Sequence, residues 1–229
     1  MTIIAVTGLK REARIVAGPG VKAISCGGRQ PGLERKLKAA IGDGAQGIIS
    51  VGICGGLSPG LAPGTCVIAS EIVTKIERIR PDSAWTARLR ARLPHAIAGP
   101  IASGDGLILG KAGKADLFAQ TGAYAVDMES HVAARLARLH SVPFAALRTI
   151  ADPATSDLPA VAALAVTEDG GLDLLAVLKA VAVQPNQIPA LIRTARNANS
   201  AFRALLRCRN MLGFGLAGPD VSELALDMR

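Results

Sequence analysis

The feature that most constrains the fold is the alternation of short, nearly continuous apolar runs with longer stretches of helical periodicity. Strands buried on both faces read as such runs, and helices between them cover the sheet. The runs fall at Thr2–Thr7, Val21–Ser25, Gly47–Val51, Thr65–Ala69, Ala96–Ala102, Ala123–Asp127 and Phe144–Ile150. The helical stretches are Lys10–Val16, Leu33–Ile41, Ser83–Leu93, Lys114–Gln120, Glu129–His140 and Leu172–Val183, with a last long helix at Ile188–Met211. Within 129–140, Val132, Ala133, Leu136 and Leu139 share a face, while Arg135 and Arg138 lie off it. The pattern predicts an α/β fold: one domain over residues 1–229, with a mixed central sheet flanked by helices on both faces. A chain of 229 residues suits one domain with a sizeable core.

Half the residues are hydrophobic but only 3% are aromatic, so the core is expected to be aliphatic and few rings are available to stack on a ligand. The net charge of +8 makes an anionic partner worth weighing. One cluster is Arg78, Arg80, Arg88, Arg90 and Arg92; the other is Arg193, Arg196, Arg203, Arg207 and Arg209. No zinc finger, helix-turn-helix pattern or aromatic–basic platform accompanies them, which argues against a nucleic-acid partner. Arginines on solvated helix faces are the plainer reading. Cys26, Cys54, Cys66 and Cys208 show no paired spacing and no Cys/His cluster, so no metal site is expected. The start, MTIIAVTGLKREA, reads as a first strand rather than a signal peptide, and no apolar stretch approaches the ~18–20 residues of a membrane span. A cytoplasmic, reduced protein is the expectation.

Ligands of such sheets bind beyond the carboxyl ends of the strands, so polar residues just after strands carry the interest. Gly52-Ile53-Cys54-Gly55-Gly56 follows the run ending at Val51 and reads as a glycine-rich loop. Its N–H groups can cradle an anion or a sugar hydroxyl, or it is simply a tight turn. It has neither the GK[ST] ending of a Walker loop nor a GxGxxG opening a helix. At Asp127-Met128-Glu129-Ser130 a strand gives way to a helix; Asp127 is the better cap, leaving Glu129 to point into the cleft. Asp152, just past an apolar strand, is placed as a general acid or base, or as a turn former before Pro153. Glu12 is either part of the site or an exposed acid paired with a basic neighbour. The segment Asp152–Leu158, bracketed by Pro153 and Pro159, reads as the mobile loop.

The order and spacing of these elements resemble the purine nucleoside and uridine phosphorylase superfamily, particularly its methylthioadenosine/S-adenosylhomocysteine nucleosidase-like branch. The resemblance runs from Ile3 to about Asp157. It rests on Glu12, the GGL at 55–57, Ser103-Gly104-Asp105, Asp127-Met128-Glu129-Ser130 and Arg148-Thr149-Ile150-Ala151-Asp152. The VDMES form, the GICGGL segment and the basic last helix look most like the hopanoid-associated phosphorylases, whose inferred task is removing adenine from adenosylhopane. Two positions depart: Ile53 and Ala151 stand where nucleosidases commonly place serine.

The resemblance implies cleavage of the N-glycosidic bond of a purine nucleoside. Asp152 would protonate the base, Glu129 would grip the ribose hydroxyls with Arg148 in support, and Met128 would lie beneath the sugar. Leu107 and Ile108 would line the base pocket, with Cys54, Gly55 and Gly56 alongside the substrate. Glu12 would activate water, whereas Lys10, Arg11 and the glycine loop offer a site for phosphate as co-substrate; both second substrates stay open. No organic cofactor or metal is implied, and family members form homo-oligomers. The segment 185–212 is basic and amphipathic, either resting on an anionic membrane surface, as a lipid-linked nucleoside would suit, or packing on protein. A small soluble nucleoside is the alternative substrate, and a nucleoside- or lipid-binding module without turnover is the non-enzyme alternative.

Overall fold

The computed structural model describes residues 2–27, 30–106, 110–159, 167, 170–171, 183 and 185–219. Its strands are β1 (Ile3–Thr7), β2 (Val21–Ser25), β3 (Gly47–Gly56), β4 (Cys66–Val73), β5 (Arg78–Ile79), β6 (Ile97–Ser103), β7 (Ala125–Asp127) and β8 (Phe144–Asp152). The described helices are α1 (Lys10–Val16), α2 (Gln30–Gly42), α3 (Ser83–Arg92), α4 (Lys111–Thr121), α5 (Ser130–Leu139) and α6 (Ile188–Leu212). The helix expected at Leu172–Val183 falls, apart from Val183, outside the described residues.

The sheet is mixed, as the apolar runs suggest. β2, β1 and β3 lie parallel, and β8 runs parallel to β3 on the other side. β8 is in turn antiparallel to β4, β4 is parallel to β6, β6 is parallel to β7, and β7 pairs antiparallel with the end of β3. These pairings close a ring of strands whose rim gathers the ends of β3, β6, β7 and β8. β5, a two-residue strand paired to β4, has no apolar run to announce it.

Strand alternation divides the core. In β1, Ile4 and Val6 face Leu33 and Leu37 of α2 and Val132 and Leu136 of α5, while Ile3 and Ala5 face Trp85 and Leu89 of α3 and Leu205 and Leu212 of α6. Both faces are covered, so both parities are apolar. Leu139, expected on the core face of α5, is instead 71% exposed. It ends the helix just before the chain turns off at Ser141.

Of the α3 arginines, Arg90 and Arg92 are exposed, as arginines on a solvated face would be, and Arg88 is half-buried; two of them also tie down the chain after α6. Arg88 donates to the Ala217 carbonyl at 3.0 Å and Arg92 to that of Leu212 at 2.9 Å, beside a Trp85 N–H donating to Leu216 at 3.0 Å. Together they fasten the segment after α6 to the domain. No described helix is long and apolar enough to cross a membrane.

Candidate active site

Arg148 shares the parity of Ala146 and Ile150 on β8 and is wholly buried. A guanidinium taken out of water needs opposite charge and hydrogen-bond acceptors around it. It finds Glu129 Oε2 at 3.2 Å and Ser50 Oγ at 2.6 Å. Asp127 Oδ2 stands 2.8 Å from Nε, off the N–H axis, and so acts as an ion-pair partner rather than an acceptor. Asp127 Oδ1 accepts the backbone N–H groups of Glu129 at 3.2 Å and Ser130 at 3.0 Å. It is thus the cap of α5, as the sequence suggests, and this frees the Glu129 side chain. Ser103 Oγ–H also donates to Asp127 at 2.6 Å.

Glu129 is 6% exposed, and its Oε1 lies 2.9 Å from where a Cβ on Gly8 would sit, so the turn after β1 presses against it. Burial pushes its carboxyl up to about 7; Arg148 opposes the rise, and the charges of Asp127 and Glu12 add to it.

Glu12 is not the exposed acid that its place on the first helix allowed: it is 1% exposed. One oxygen reaches back to the Leu9 N–H at 2.8 Å, satisfying a free donor at the helix start, and the other accepts the Ile53 N–H at 2.7 Å. Gly52 makes room for it, since a Cβ there would lie 2.6 Å from Oε1. Burial raises the Glu12 carboxyl above its ordinary range, against the pull of Arg148 and of these N–H groups.

The glycine segment corrects the expectation of an open loop. Gly52–Gly56 are the last residues of β3, with Gly55 opposite Val126 and Gly56 opposite Ala125 on β7, and β8 on the other side. The Ile53 N–H is held by Glu12, and those of Leu57 and Ser58 donate to the Tyr124 carbonyl at 2.9 and 3.2 Å. The small side chains serve strand packing, not a row of N–H groups waiting for an anion. Cys54, expected beside the substrate, packs in the core with Ile150, and burial pushes its thiol well above the ordinary range.

Asp152 closes β8. Cys54 pairs with Ile150 but Gly55 with Asp152, so β8 carries an extra residue at Ala151, a bulge that re-aims the side chain following it. The Asp152 side chain is 16% exposed and meets the Lys114 ammonium at 2.5 Å. Burial raises its carboxyl, with Lys114 opposing. Arg148 pairs with Gly52 and Asp152 with Gly55, so the bulge leaves the two residues three rises apart along the sheet, about 10 Å. Met128 is half-buried beside Glu129, whereas Leu107 and Ile108 lie outside the described residues.

Lys114, Ser50 and the Ser103–His131 pair are absent from the sequence reading. Lys114 had a visible signal: Lys114, Leu117, Phe118 and Thr121 recur at helical spacing, which puts a lysine on the buried stripe of α4. His131 Nδ1 meets Ser103 Oγ at 2.9 Å, and Nε2 meets the exposed Asp105 at 3.2 Å. Among the described residues no group of three His, Cys, Asp or Glu is placed to hold a metal ion.

The fold has solved counterparts. The 5'-methylthioadenosine/S-adenosylhomocysteine nucleosidase from Colwellia psychrerythraea, in complex with adenine, matches 93% of this chain and 96% of its own with a TM-score of 0.65 at 15% identity. The Helicobacter pylori nucleosidase of the same name gives 0.63 at 16% identity over 92% and 98%. Futalosine hydrolase of Helicobacter pylori gives 0.62 at 15% over 91% and 97%. At such identities the likeness speaks for the fold. No curated protein matches the sequence. The match that assigns the chain is a family profile, described as the phosphorylase superfamily, which covers residues 33–182 and so takes in β3 to β8 with Arg148, Glu129 and Asp152. With well over half its length matched, this chain belongs to the phosphorylase superfamily.

Proposed function

We propose that the protein hydrolyses the N-glycosidic bond of an adenine nucleoside. The observation that carries this reading is the placement of Glu12, Glu129 and Asp152 in three different environments around the ends of β3 and β8. Breaking the bond puts positive charge on the ribose and negative charge on the departing base. Asp152, its carboxyl raised by burial, gives a proton to the purine. Glu129, held by Arg148, accepts the ribose hydroxyls, with Met128 beneath the sugar. Glu12 takes the proton of the attacking water, its carboxylate fixed by the Ile53 and Leu9 N–H groups.

Water is favoured over phosphate by what surrounds Glu12. Its carboxylate already holds the Ile53 and Leu9 N–H groups, and its charge opposes an anion arriving there. Arg11 is turned toward α6, donating to Asn199 Oδ1 at 3.1 Å and stacking 4.1 Å over the Phe202 ring.

The group on the ribose is proposed to be a hydrocarbon, as in adenosylhopane, following the VDMES and GICGGL resemblance. Supporting it, the second half of α6 is buried through Phe202, Leu205 and Cys208, while Ile188, Ile192, Arg193 and Arg196 near its start are exposed, a basic and apolar surface able to meet anionic lipid. The test compares adenine release from 5'-methylthioadenosine and from an adenosine bearing a long 5' hydrocarbon. A preference for the long chain supports the lipid substrate, a preference for methylthioadenosine replaces it with a small nucleoside, and no release from either refutes the enzymatic reading.

A further inference from the structure

Lys114 is a fully buried cation that no step above uses. Its three ammonium hydrogens have three acceptors: Asp152 Oδ2 at 2.5 Å, the Ser156 carbonyl at 2.8 Å and the Pro153 carbonyl at 3.0 Å. A turn earlier on α4, the Lys111 N–H donates to Asp157 Oδ1 at 2.8 Å. The start of α4 therefore clasps the chain leaving β8. Neutral donors would bind two carbonyls equally well; burying a charge for that purpose alone is costly. The carboxylate is the partner that calls for a cation.

We propose that Lys114 is a positioning residue for Asp152, holding one carboxylate oxygen and neutralising the charge left when the other oxygen gives its proton to the base. The proposal rests on the reading of Asp152 as general acid. In the reaction the Asp152 Oδ1–H bond breaks and an N–H bond forms on the purine. The glycosidic electron pair leaves with the base, the anomeric carbon takes the hydroxyl of water, and Glu12 takes the remaining proton. Asp152 ends as a carboxylate against Lys114 and regains a proton from solvent, to which Glu12 releases the one it took. Lys114 from α4 and Asp157 further along the loop are the charged groups acting on Asp152, and the cation makes it the stronger acid.

The experiment measures kcat against pH for wild type, Lys114→Met and Lys114→Gln on two substrates. One is an adenine nucleoside that the wild type cleaves; the other is 4-nitrophenyl ribofuranoside, whose leaving group needs no proton. Removing the cation raises the Asp152 carboxyl, so activity on the nucleoside is lost at a higher pH than in wild type. The maximal rate on the nucleoside falls about tenfold or more, within the range ascribed to acid catalysis. The aryl riboside rate stays at the wild-type value. Equal losses on both substrates, or an alkaline limb that does not move, overturn the proposal. Lys114→Gln keeps a neutral donor for the loop carbonyls and is read alone if Lys114→Met does not fold. Asp152→Asn separates the two claims: if it retains nucleoside cleavage, the general-acid reading falls; if it is inactive while the Lys114 variants match wild type, only the role of Lys114 falls.

Discussion

Replacing Arg148 with methionine removes the cation at the centre of the buried network while roughly keeping its volume. Asp127 and Glu129 then remain buried without their ion-pair partner, and Glu12 loses the charge that stabilises its ionised form. Breaking a buried pair from one side costs about 3–5 kcal/mol. For a domain of this size that corresponds to a melting temperature lowered by roughly 6–20 °C. The cost depends on pH in a fixed direction. Glu129 and Glu12, whose carboxyls burial already raises and Arg148 holds down, have folded-state pKa values raised further above those of the unfolded chain once the cation is gone. They then bind protons on folding, and stability falls as pH rises through the raised values, by about 1.4 kcal/mol per pH unit for each such group. Urea denaturation of wild type and Arg148→Met at pH 5, 7 and 8.5 reads this directly. The difference between the two proteins should widen with pH; a difference independent of pH would mean that the loss is one of packing and not of charge.

Three further outcomes follow from the same geometry. Gly52→Ala drives a Cβ into the Glu12 carboxylate, which it would meet at 2.6 Å, so steady-state assays should show kcat falling about 100-fold, the scale of a misplaced catalytic group, while the far-UV circular dichroism is retained. In the wild type, the Glu129 carboxyl at about 7 against an ordinary 4.5 contributes stability that is complete below 4.5 and lost as pH rises through 7, up to about 3 kcal/mol; Glu129→Gln should flatten that slope in denaturation midpoints, and an unchanged slope would place the titration elsewhere. Ser103→Ala strips Asp127 of one donor and the His131 N–H of its acceptor at 3.0 Å, and should cost about 1–3 kcal/mol in thermal unfolding, against no measurable loss if the pair is idle.

How much of this was legible in the sequence follows from how local each feature is. Lys10–Val16 and Val21–Ser25 have the bounds that their periodicity sets, because turn residues flank both. β3 extends from the expected Val51 to Gly56, because its last residues become strand only through β7 and β8, which arrive about seventy to a hundred residues later in the chain. For the same reason the glycines read as a loop and Cys54 as a ligand contact. The cap role of Asp127 was readable, being set within three residues. The burial of Glu12 was not: it depends on the bare backbone of Gly52 and the N–H of Ile53 across the sheet. Asp152 was found by its place after a strand, but its partner Lys114 requires α4 to be docked on the loop. The helical spacing of Lys114 with Leu117, Phe118 and Thr121 carries that hint.

On the proposed mechanism this chain breaks an N-glycosidic bond with water, using Asp152 as the acid. The most direct test follows free adenine and the sugar product from a 5'-substituted adenosine in phosphate-free buffer, with wild type and Asp152→Asn side by side. The wild type should give adenine and an unphosphorylated sugar with no dependence on added phosphate, and Asp152→Asn should give no adenine. A sugar 1-phosphate formed only when phosphate is supplied, or adenine released equally by both proteins, would contradict the mechanism.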